Sequence, residues 1–282
     1  MTTSPTTTTT TTDQHLPQQI SRAYDILDEE VTRTTAERDA LRQFRARFAR
    51  IDPTTPTPQS ASQSQSTSSA VSTFIQSLTP DTRPSSGALK EVRDAYRETV
   101  MAVPHYDDEY DESLDENLAA EVGDDLATAL ASHERFPPQI KQTLDHAIQQ
   151  RITVRNMLLD DLDQERAALD TAKTAITEIR DWLREQNECS LDEWSLTERY
   201  RLHERLGEYE AECDAIAAAR QERVQDRRIT AGAGTGVGRA DSRLFNAYLY
   251  ESLPVTYPVL ADLATLGSVL ADARQRLERT LV

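Results

Sequence analysis

The sequence predicts an all-α protein, and three observations support that fold class. Apolar residues recur at spacings of three and four along most of the chain, which is the period of an amphipathic helix. No segment shows sustained alternation of apolar and polar residues, so no sheet is predicted. Two strong helical patterns, in 151–187 and 195–228, are joined by a short segment. Because each helix must bury one face, we predict an elongated antiparallel helical bundle or coiled-coil hairpin with a smaller helical insert.

The first part of the chain divides into a tail and a long helix. Residues 1–17 are rich in threonine and have no packing pattern, which predicts a disordered tail. Apolar residues at helical spacing then predict the first long helix of the bundle over 18–52. It is expected to end at Asp52 because the residue before Pro53 disfavours helical geometry. A helix of this length needs a packing partner in water.

A linker and a separate helical module are predicted next. Residues 53–70 contain mainly Thr, Pro, Ser and Gln, which is typical of a disordered linker. Residues 71–135 are predicted to form the helical insert. Two helical stripes within it, at 89–103 and 113–130, favour a pair of helices, and the second opens with a capping-box motif at Ser113.

The long antiparallel helical hairpin is predicted over 136–229 and carries the most regular pattern. The stripe of its first helix is Leu158, Leu162, Glu165, Leu169, Ala172, Ile176, Ile179 and Leu183. The stripe of its return helix is Leu202, Leu206, Tyr209, Cys213, Ile216 and Arg220. The return helix has two candidate starts, because Ser190 and Ser195 are each followed three residues later by Glu.

Residues 230–242 are rich in glycine and predict a flexible connector. A C-terminal helical segment over 243–282 is expected to follow it and to pack on the bundle. A phosphate loop would need Lys and a hydroxyl residue after its last glycine, where Arg239 and Ala240 stand. The dinucleotide fingerprint fails because Val237 occupies its third glycine position. No cofactor is predicted.

The charge composition predicts a protein that works at high salt concentration. The chain has 48 acidic and 31 basic residues and a net charge of -17, and its only lysines are Lys90, Lys141 and Lys173. A carboxylate-rich, lysine-poor surface stays hydrated in molar salt, where the Debye length is about 3 Å. This favours a halophilic archaeal cytoplasm, with an ordinary acidic helical protein as the alternative. Without a long apolar run or a signal-peptide pattern, we expect a cytoplasmic protein with no membrane segment.

Four residues merit inspection as candidate sites: Glu165, Cys189, Cys213 and His203. Glu165 is the one acid in its apolar stripe, and the favoured explanation is an arginine partner across the hairpin. The cysteines are too far apart in sequence for a zinc pair. If the return helix starts near Ser195, Cys213 lies about 27 Å along it, too far for a disulfide with Cys189. Cys213 is therefore predicted to be a buried core residue, and no catalytic or metal-binding residue is predicted.

Two charged clusters have weaker functional alternatives. The acidic run at 105–112 could attract a divalent cation, but a calcium loop starting at Asp107 would need glycine at Glu112 and an acid at Leu118. A solvated loop is favoured. Arginines cluster at 42, 45, 47 and 50 and at 220, 223, 227 and 228. They could contact phosphates, but pairing with acids of neighbouring helices is favoured, and nucleic acid is not the expected partner.

Three segments of the chain resemble a known family. They are residues 92–106, the pairs Cys213-Asp214 and Arg220-Gln221, and Leu249-Tyr250 followed by Tyr257-Pro258-Val259-Leu260. These segments resemble an uncharacterised family of haloarchaeal helical proteins, classed as a domain of unknown function. The resemblance covers the chain from about Gln18 to the C-terminus, apart from the linker. It implies a mostly helical haloarchaeal protein and carries no activity, ligand or catalytic residue.

The expected function is that of a non-enzymatic helical interaction or scaffold protein. Its partner would be another protein or a second copy of the chain, with no membrane involved. One alternative is a nucleic-acid-associated regulator that uses the arginine-rich helix ends. A third is an enzyme with an interhelical pocket around Glu165.

Overall fold

The structure is a computed structural model that describes residues 18–53, 86–132, 135–187, 194–226 and 242–281. Every regular element in these ranges is a helix, so the predicted all-α class is confirmed. The α-helices are α1 (Gln18–Phe48), α2 (Ser86–Arg97), α3 (Tyr106–Glu109), α4 (Leu114–Val122), α5 (Asp124–Ser132), α6 (Pro138–Asn187), α7 (Leu196–Asp226), α8 (Ser242–Leu249) and α9 (Pro258–Glu278). A short 3-10 helix spans Val100–Ala102. The bundle or hairpin arrangement stays a prediction.

Several predicted segments lie outside the described residues. They are the tail at 1–17, most of the linker with the start of the insert at 54–85, the turn at 188–193 with Cys189, the last residues of the hairpin at 227–229, and most of the connector at 230–241. The predicted domain boundaries therefore stay predictions.

The chain divides into two compact units, each with its own core. The terminal unit comprises Met1–Thr32 and Leu159–Val282, and the central unit comprises Arg33–Leu158. Each unit takes in part of α1 and part of α6.

The core of the central unit is built around aromatic rings of α1 and α2. Phe44 packs edge-on against Tyr96, with ring centroids 5.1 Å apart, and Phe48 lies 5.2 Å from Phe44. The buried hydroxyl of Tyr96 donates to Asn117 Oδ1 of α4 at 2.7 Å. Aliphatic residues of α2, α4, α5 and α6 complete this core: Leu89, Val92, Leu114, Leu118, Leu126, Leu130, Leu144, Ile148 and Ile152.

Two helix ends of the central unit differ from the sequence prediction. The helix predicted to continue to residue 130 is interrupted at Gly123, whose φ of 91° is a conformation that side chains rarely adopt. The chain therefore turns there, and α4 and α5 are separate helices. The capping box at Ser113 is present, since its side chain accepts from the Glu116 N–H while the Glu116 carboxylate accepts from the Ser113 N–H. The first helix ends at Phe48, four residues before Asp52.

The core of the terminal unit is built from the apolar stripes of α6, α7 and α9. Its buried residues include Leu162, Leu169, Ala172, Ile176, Ile179, Leu206, Tyr209, Leu263, Leu266 and Leu270. The rings of Trp182 and Tyr209 lie 4.8 Å apart, and α7 packs along α9. Ser195 takes the capping position of α7, where its hydroxyl accepts from the Glu198 N–H. None of the helices in the described ranges is long and apolar enough to cross a membrane.

Candidate functional site

The first candidate site is the buried carboxylate of Glu165 in the terminal unit. Its side chain is 1 % exposed, and that of Arg220 on α7 is 5 % exposed. Arg220 Nη1 donates to Glu165 Oε2 at 3.0 Å, and Arg220 Nη2 donates to Oε1. The hydroxyl of Tyr250, just after α8, donates to Oε1 at 2.8 Å. Two helices and the turn after α8 therefore meet at this carboxylate.

This geometry determines what Glu165 can do chemically. Both of its oxygen atoms accept hydrogen bonds from the protein, and a two-pronged arginine contact favours the ionised form. The arrangement is that of a neutralised buried ion pair whose role is to hold α6, α7 and the segment after α8 together. The sequence predicted an arginine partner for Glu165 across the hairpin, and Arg220 is one of the clustered arginines expected to pair with acids of neighbouring helices. The sequence did not identify Tyr250, because a tyrosine 85 residues away leaves no local signal.

A second charged cluster lies in the central unit and was not predicted. Arg155 on α6 donates through Nε to Glu37 Oε2 at 3.0 Å and through Nη1 to Glu121 Oε2 at 3.3 Å. The other oxygen of Glu37 accepts from the Tyr110 hydroxyl at 2.8 Å and lies 3.3 Å from His105 Nε2. The single guanidinium of Arg155 thus joins two carboxylates from two other helices.

Burial and the neighbouring carboxylates together shift the pKa values in this cluster. By itself burial lowers the pKa of Arg155, but the Glu121 and Glu37 carboxylates outweigh it and raise that pKa above its ordinary value. Burial and the adjacent Glu37 charge raise the pKa of the Tyr110 hydroxyl. Arg155 and Tyr110 therefore stay protonated and act as hydrogen-bond donors to Glu37.

Several of the arginines considered for nucleic-acid binding are paired with acids. Arg45 donates from Nε and Nη2 to Asp145 at 2.8 and 3.1 Å, and this contact holds the pKa of Asp145 below its usual range. Arg47 pairs with Glu98 at 2.9 Å, and Arg42 with Asp39 at 3.2 Å. A surface groove of 460 Å³ runs beside this cluster in the central unit. It is lined by Arg42, Arg45, Ala46, Ala49, Asp145, Gln149, Ile152 and Asn156.

Cys213 lies in the buried stripe of α7, 4 % exposed, as a free thiol. Burial and the nearby carboxylates of Glu212, Asp214 and Glu210 raise the pKa of the Cys213 thiol to about 11. A thiol of this kind is a poor nucleophile at neutral pH, because only the thiolate attacks. Cys189 lies outside the described residues.

His203 lies on α7 and contacts α9 at the edge of the terminal unit. Its Nε2 lies 2.9 Å from Glu278 Oε1 and accepts from Arg274 Nε at 3.1 Å. Arg274 also donates to Glu210 of α7 at 2.6 Å. His203 is thus part of a charged contact between two helices.

The acidic run at 105–112 contains α3 and the residues after it. Glu109 pairs with Arg33 at 2.6 Å, so an arginine of the central unit neutralises one carboxylate of this run. Within the described ranges, no three His, Cys, Asp or Glu side chains come close enough together to hold a metal ion.

The comparison with protein families matches most of the chain. A family described as a domain of unknown function (DUF7260) matches residues 18–274. The chain belongs to this family. The DUF7260 match includes Glu165, Arg220 and Tyr250, and it also includes Glu37, Glu121 and Arg155 of the central unit. Comparisons with curated proteins and with solved structures gave no match.

Of the two charge clusters of this DUF7260 domain, the fully buried one at Glu165 was predicted from the sequence and the half-buried one at Arg155 was not. Glu165 was recognisable because it interrupts a regular apolar stripe. Arg155 also interrupts the helical spacing of apolar residues, between Ile152 and Leu158, which is a local signal of the same kind. The proximity of Glu37 and Glu121 to Arg155 follows only from the structure.

Proposed function

We propose that this DUF7260 protein is a non-enzymatic helical scaffold that binds another protein or a second copy of itself. The observation that carries the proposal is an exposed apolar pair at the start of α7. Leu196 is 58 % exposed and Tyr200 is 52 % exposed. They are four residues apart on one helix, so their side chains lie next to each other on one face and form a continuous apolar patch.

The surroundings of this patch fit a protein contact. Arg201 and Glu204, beside Tyr200, are exposed charges of opposite sign that would form a polar rim around it. The helix that carries the pair is itself held in place, because α7 packs along α9 and Arg199 donates to the Thr280 carbonyl at 3.1 Å. A patch on a fixed helix loses little conformational freedom when a partner covers it.

The buried charges support a structural role for the inward-facing polar residues. Glu165 is bonded to Arg220 and Tyr250, and Glu37 is bonded to Arg155. These contacts join helices within each unit, so the carboxylates serve to hold the helices together.

Photo-crosslinking tests the proposal. A photoreactive phenylalanine analogue is placed at Tyr200, and a control chain carries it at Tyr248, which is 54 % exposed on α8 of the same unit. We expect defined crosslinked products from position 200, either with one protein of the native lysate or with a second copy in purified protein. Position 248 should give none of these products. Absence of a crosslink specific to position 200 in both settings would contradict the proposal.

The two other functions predicted from the sequence gain no support from the described contacts. Arg45, Arg47 and Arg220 each face a carboxylate, which leaves less positive charge for a phosphate backbone. Both oxygens of Glu165 are occupied by protein donors, which does not favour a role as a catalytic base. Both alternatives stay predictions.

A further inference from the structure

His203 offers one nitrogen atom to two partners with opposite requirements. Arg274 Nε–H points at His203 Nε2 from 3.1 Å, and Glu278 Oε1 lies 2.9 Å from the same atom. Arginine is always a donor and a carboxylate is always an acceptor at neutral pH. A hydrogen bond with Arg274 requires a lone pair on Nε2, whereas one with Glu278 requires a proton there.

The two hydrogen bonds therefore exclude each other at any instant. In the neutral ring with its proton on Nδ1, Nε2 accepts from Arg274 and its lone pair faces the Glu278 carboxylate without a proton between them. In the charged ring, Nε2 donates to Glu278 and its positive charge faces the Arg274 guanidinium. A change in protonation exchanges the favourable partner for the unfavourable one.

The charged groups around His203 are arranged so that either state is accommodated. On α9, Arg274 and Glu278 are its direct neighbours. On α7, Glu210 accepts from Arg274 Nη1 at 2.6 Å and can hold that guanidinium when His203 no longer accepts from it. Arg274 Nε also lies 3.6 Å from Glu278 Oε1.

One more charged residue lies near this contact. On α7, Arg199 is one turn before His203 and donates to the Thr280 carbonyl.

We propose that His203 is a proton-dependent selector at the contact between α7 and α9, accepting from Arg274 when neutral and donating to Glu278 when charged. Glu278 is the last residue of α9, so the charged state bonds the end of α9 to α7. In the neutral state Glu278 keeps the longer contact from Arg274, and the bond from Arg199 to the Thr280 carbonyl still joins the end of α9 to α7. Protonation of the His203 ring therefore adds a bond between the end of α9 and α7.

Double-mutant cycles at two pH values test the proposal, with the unfolding equilibrium constant as the measurement. One cycle combines His203→Gln with Glu278→Gln, and the other combines His203→Gln with Arg274→Gln. These side chains are partly exposed, so each variant should fold. At about pH 5 we expect the coupling between His203 and Glu278 to lower the unfolding equilibrium constant by about two- to fivefold. The coupling between His203 and Arg274 should be unfavourable or absent at that pH. At about pH 8.5 the order should reverse.

His146→Gln is the matched control, because His146 is an exposed histidine of the central unit that bonds Gln150. A cycle that combines His146→Gln with Glu278→Gln should show no coupling at either pH value. Nitrogen NMR of labelled imidazole provides a second measurement, with His203 Nε2 expected to be unprotonated at about pH 8.5. Couplings that keep the same sign at both pH values, or a proton on Nε2 at the higher pH, would overturn the proposal.

Discussion

Glu165 and Arg220 occupy a position where an isolated charge would be strongly unfavourable. Moving a carboxylate out of water costs several kcal/mol, and a guanidinium placed against both of its oxygens offsets much of that cost. The Tyr250 hydroxyl adds a third donor. Arg220 and Tyr250 both donate to Glu165, so removing Glu165 or Arg220 leaves a buried polar group without a partner and costs more than the strength of the contact itself.

Arg220→Ala is expected to lower the free energy of unfolding by about 3–5 kcal/mol, because it leaves the Glu165 carboxylate buried without its counter-charge. Urea unfolding followed by circular dichroism measures the loss. The control is Arg97→Ala, whose side chain is 54 % exposed and pairs with Asp94, and which should cost less than about 1 kcal/mol.

The double replacement Glu165→Met with Arg220→Met is expected to cost less than the sum of the two single replacements, because it removes both charges together. Some loss should remain, since the Tyr250 hydroxyl loses its acceptor. If Arg220→Ala were no more destabilising than Arg97→Ala, the pair would not have the structural role assigned to it.

Cys213 is expected to react slowly with iodoacetamide in the folded protein. With a pKa of about 11 in place of 9.0, its thiolate fraction at about pH 8 falls about 100-fold. The Cys189→Ser variant leaves Cys213 as the single thiol, and mass spectrometry follows its alkylation. The same variant in urea is the reference. Equal rates in the folded and unfolded protein would show that Cys213 is accessible and its pKa unshifted.

At the scale of elements, α1 begins with a cap supplied from another helix. Asp262 on α9 is buried, and its Oδ2 accepts from the Ile20 N–H at 2.8 Å while Oδ1 accepts from the Gln19 N–H at 3.4 Å. The first N–H groups of a helix have no partner within the helix, and a carboxylate there also interacts favourably with the helix dipole. The start of α1 is thereby fixed to α9 within the terminal unit.

Asp262→Ala is expected to cost about 1–2 kcal/mol, as for other lost helix caps, and to speed amide exchange of Ile20. Asp262→Asn keeps one oxygen acceptor and should cost less. Exchange at Ile20 that is unchanged in Asp262→Ala would rule out the capping role.

The same residue predicts a pH dependence. Burial raises the pKa of Asp262, although the N–H groups of Ile20 and Gln19 act in the opposite direction. The folded state thus binds this proton more tightly than the unfolded state, so the stabilising contribution of protonation is complete below the ordinary pKa and is lost as pH rises through the raised pKa. Relative to Asp262→Asn, the wild type should lose stability as pH rises above about 4. A relative gain would contradict the assigned direction.

Two glycines are expected to respond oppositely to alanine. Gly267 lies inside α9, and an added Cβ would meet no atom within 4 Å, so Gly267→Ala should stabilise by about 0.5–1 kcal/mol. Gly123 has a φ of 91°, so Gly123→Ala should destabilise by about 1–3 kcal/mol. Thermal unfolding of the two variants provides the comparison. A loss for Gly267→Ala would mean that α9 has a tighter neighbour at that position.

At the scale of the whole molecule, acidic residues outnumber basic ones by 48 to 31. Many arginines of the described ranges are already paired with acids, as Arg45 is with Asp145 and Arg155 with Glu121. The excess of 17 negative charges therefore remains as repulsion in the folded state, where charges are closer together than in the unfolded chain.

Raising KCl from about 0.1 to about 2 M at neutral pH is expected to raise the thermal midpoint, because the Debye length falls from about 10 Å to less than about 3 Å. Differential scanning calorimetry measures the shift. Near pH 4.7, the isoelectric point of the sequence, the net charge vanishes and the increase should be much smaller. A midpoint that falls with salt at neutral pH would mean that screened ion pairs matter more than the net repulsion.

Much of the secondary structure was predictable because helix signals are local. Repeats of three and four residues define α6 over its 50 residues, and Ser113 and Ser195 mark the starts of α4 and α7. The break at Gly123 was not predicted, because a single glycine can also occur inside a continuous helix. Phe44 lies between Arg42 and Arg45 in the sequence but is fully buried against Tyr96.

The sequence by itself determined the all-α class and the need of Glu165 for a cationic partner, since both follow from the spacing of residues within a single helix. The tertiary structure decided which partners meet. Glu165 bonds residues 55 and 85 positions away, and Asp262 caps α1 by accepting from Ile20, 242 positions earlier. The spacing of residues along one helix shows that a buried charge or a helix end needs a partner. Which distant side chain becomes that partner is decided by the packing of the helices.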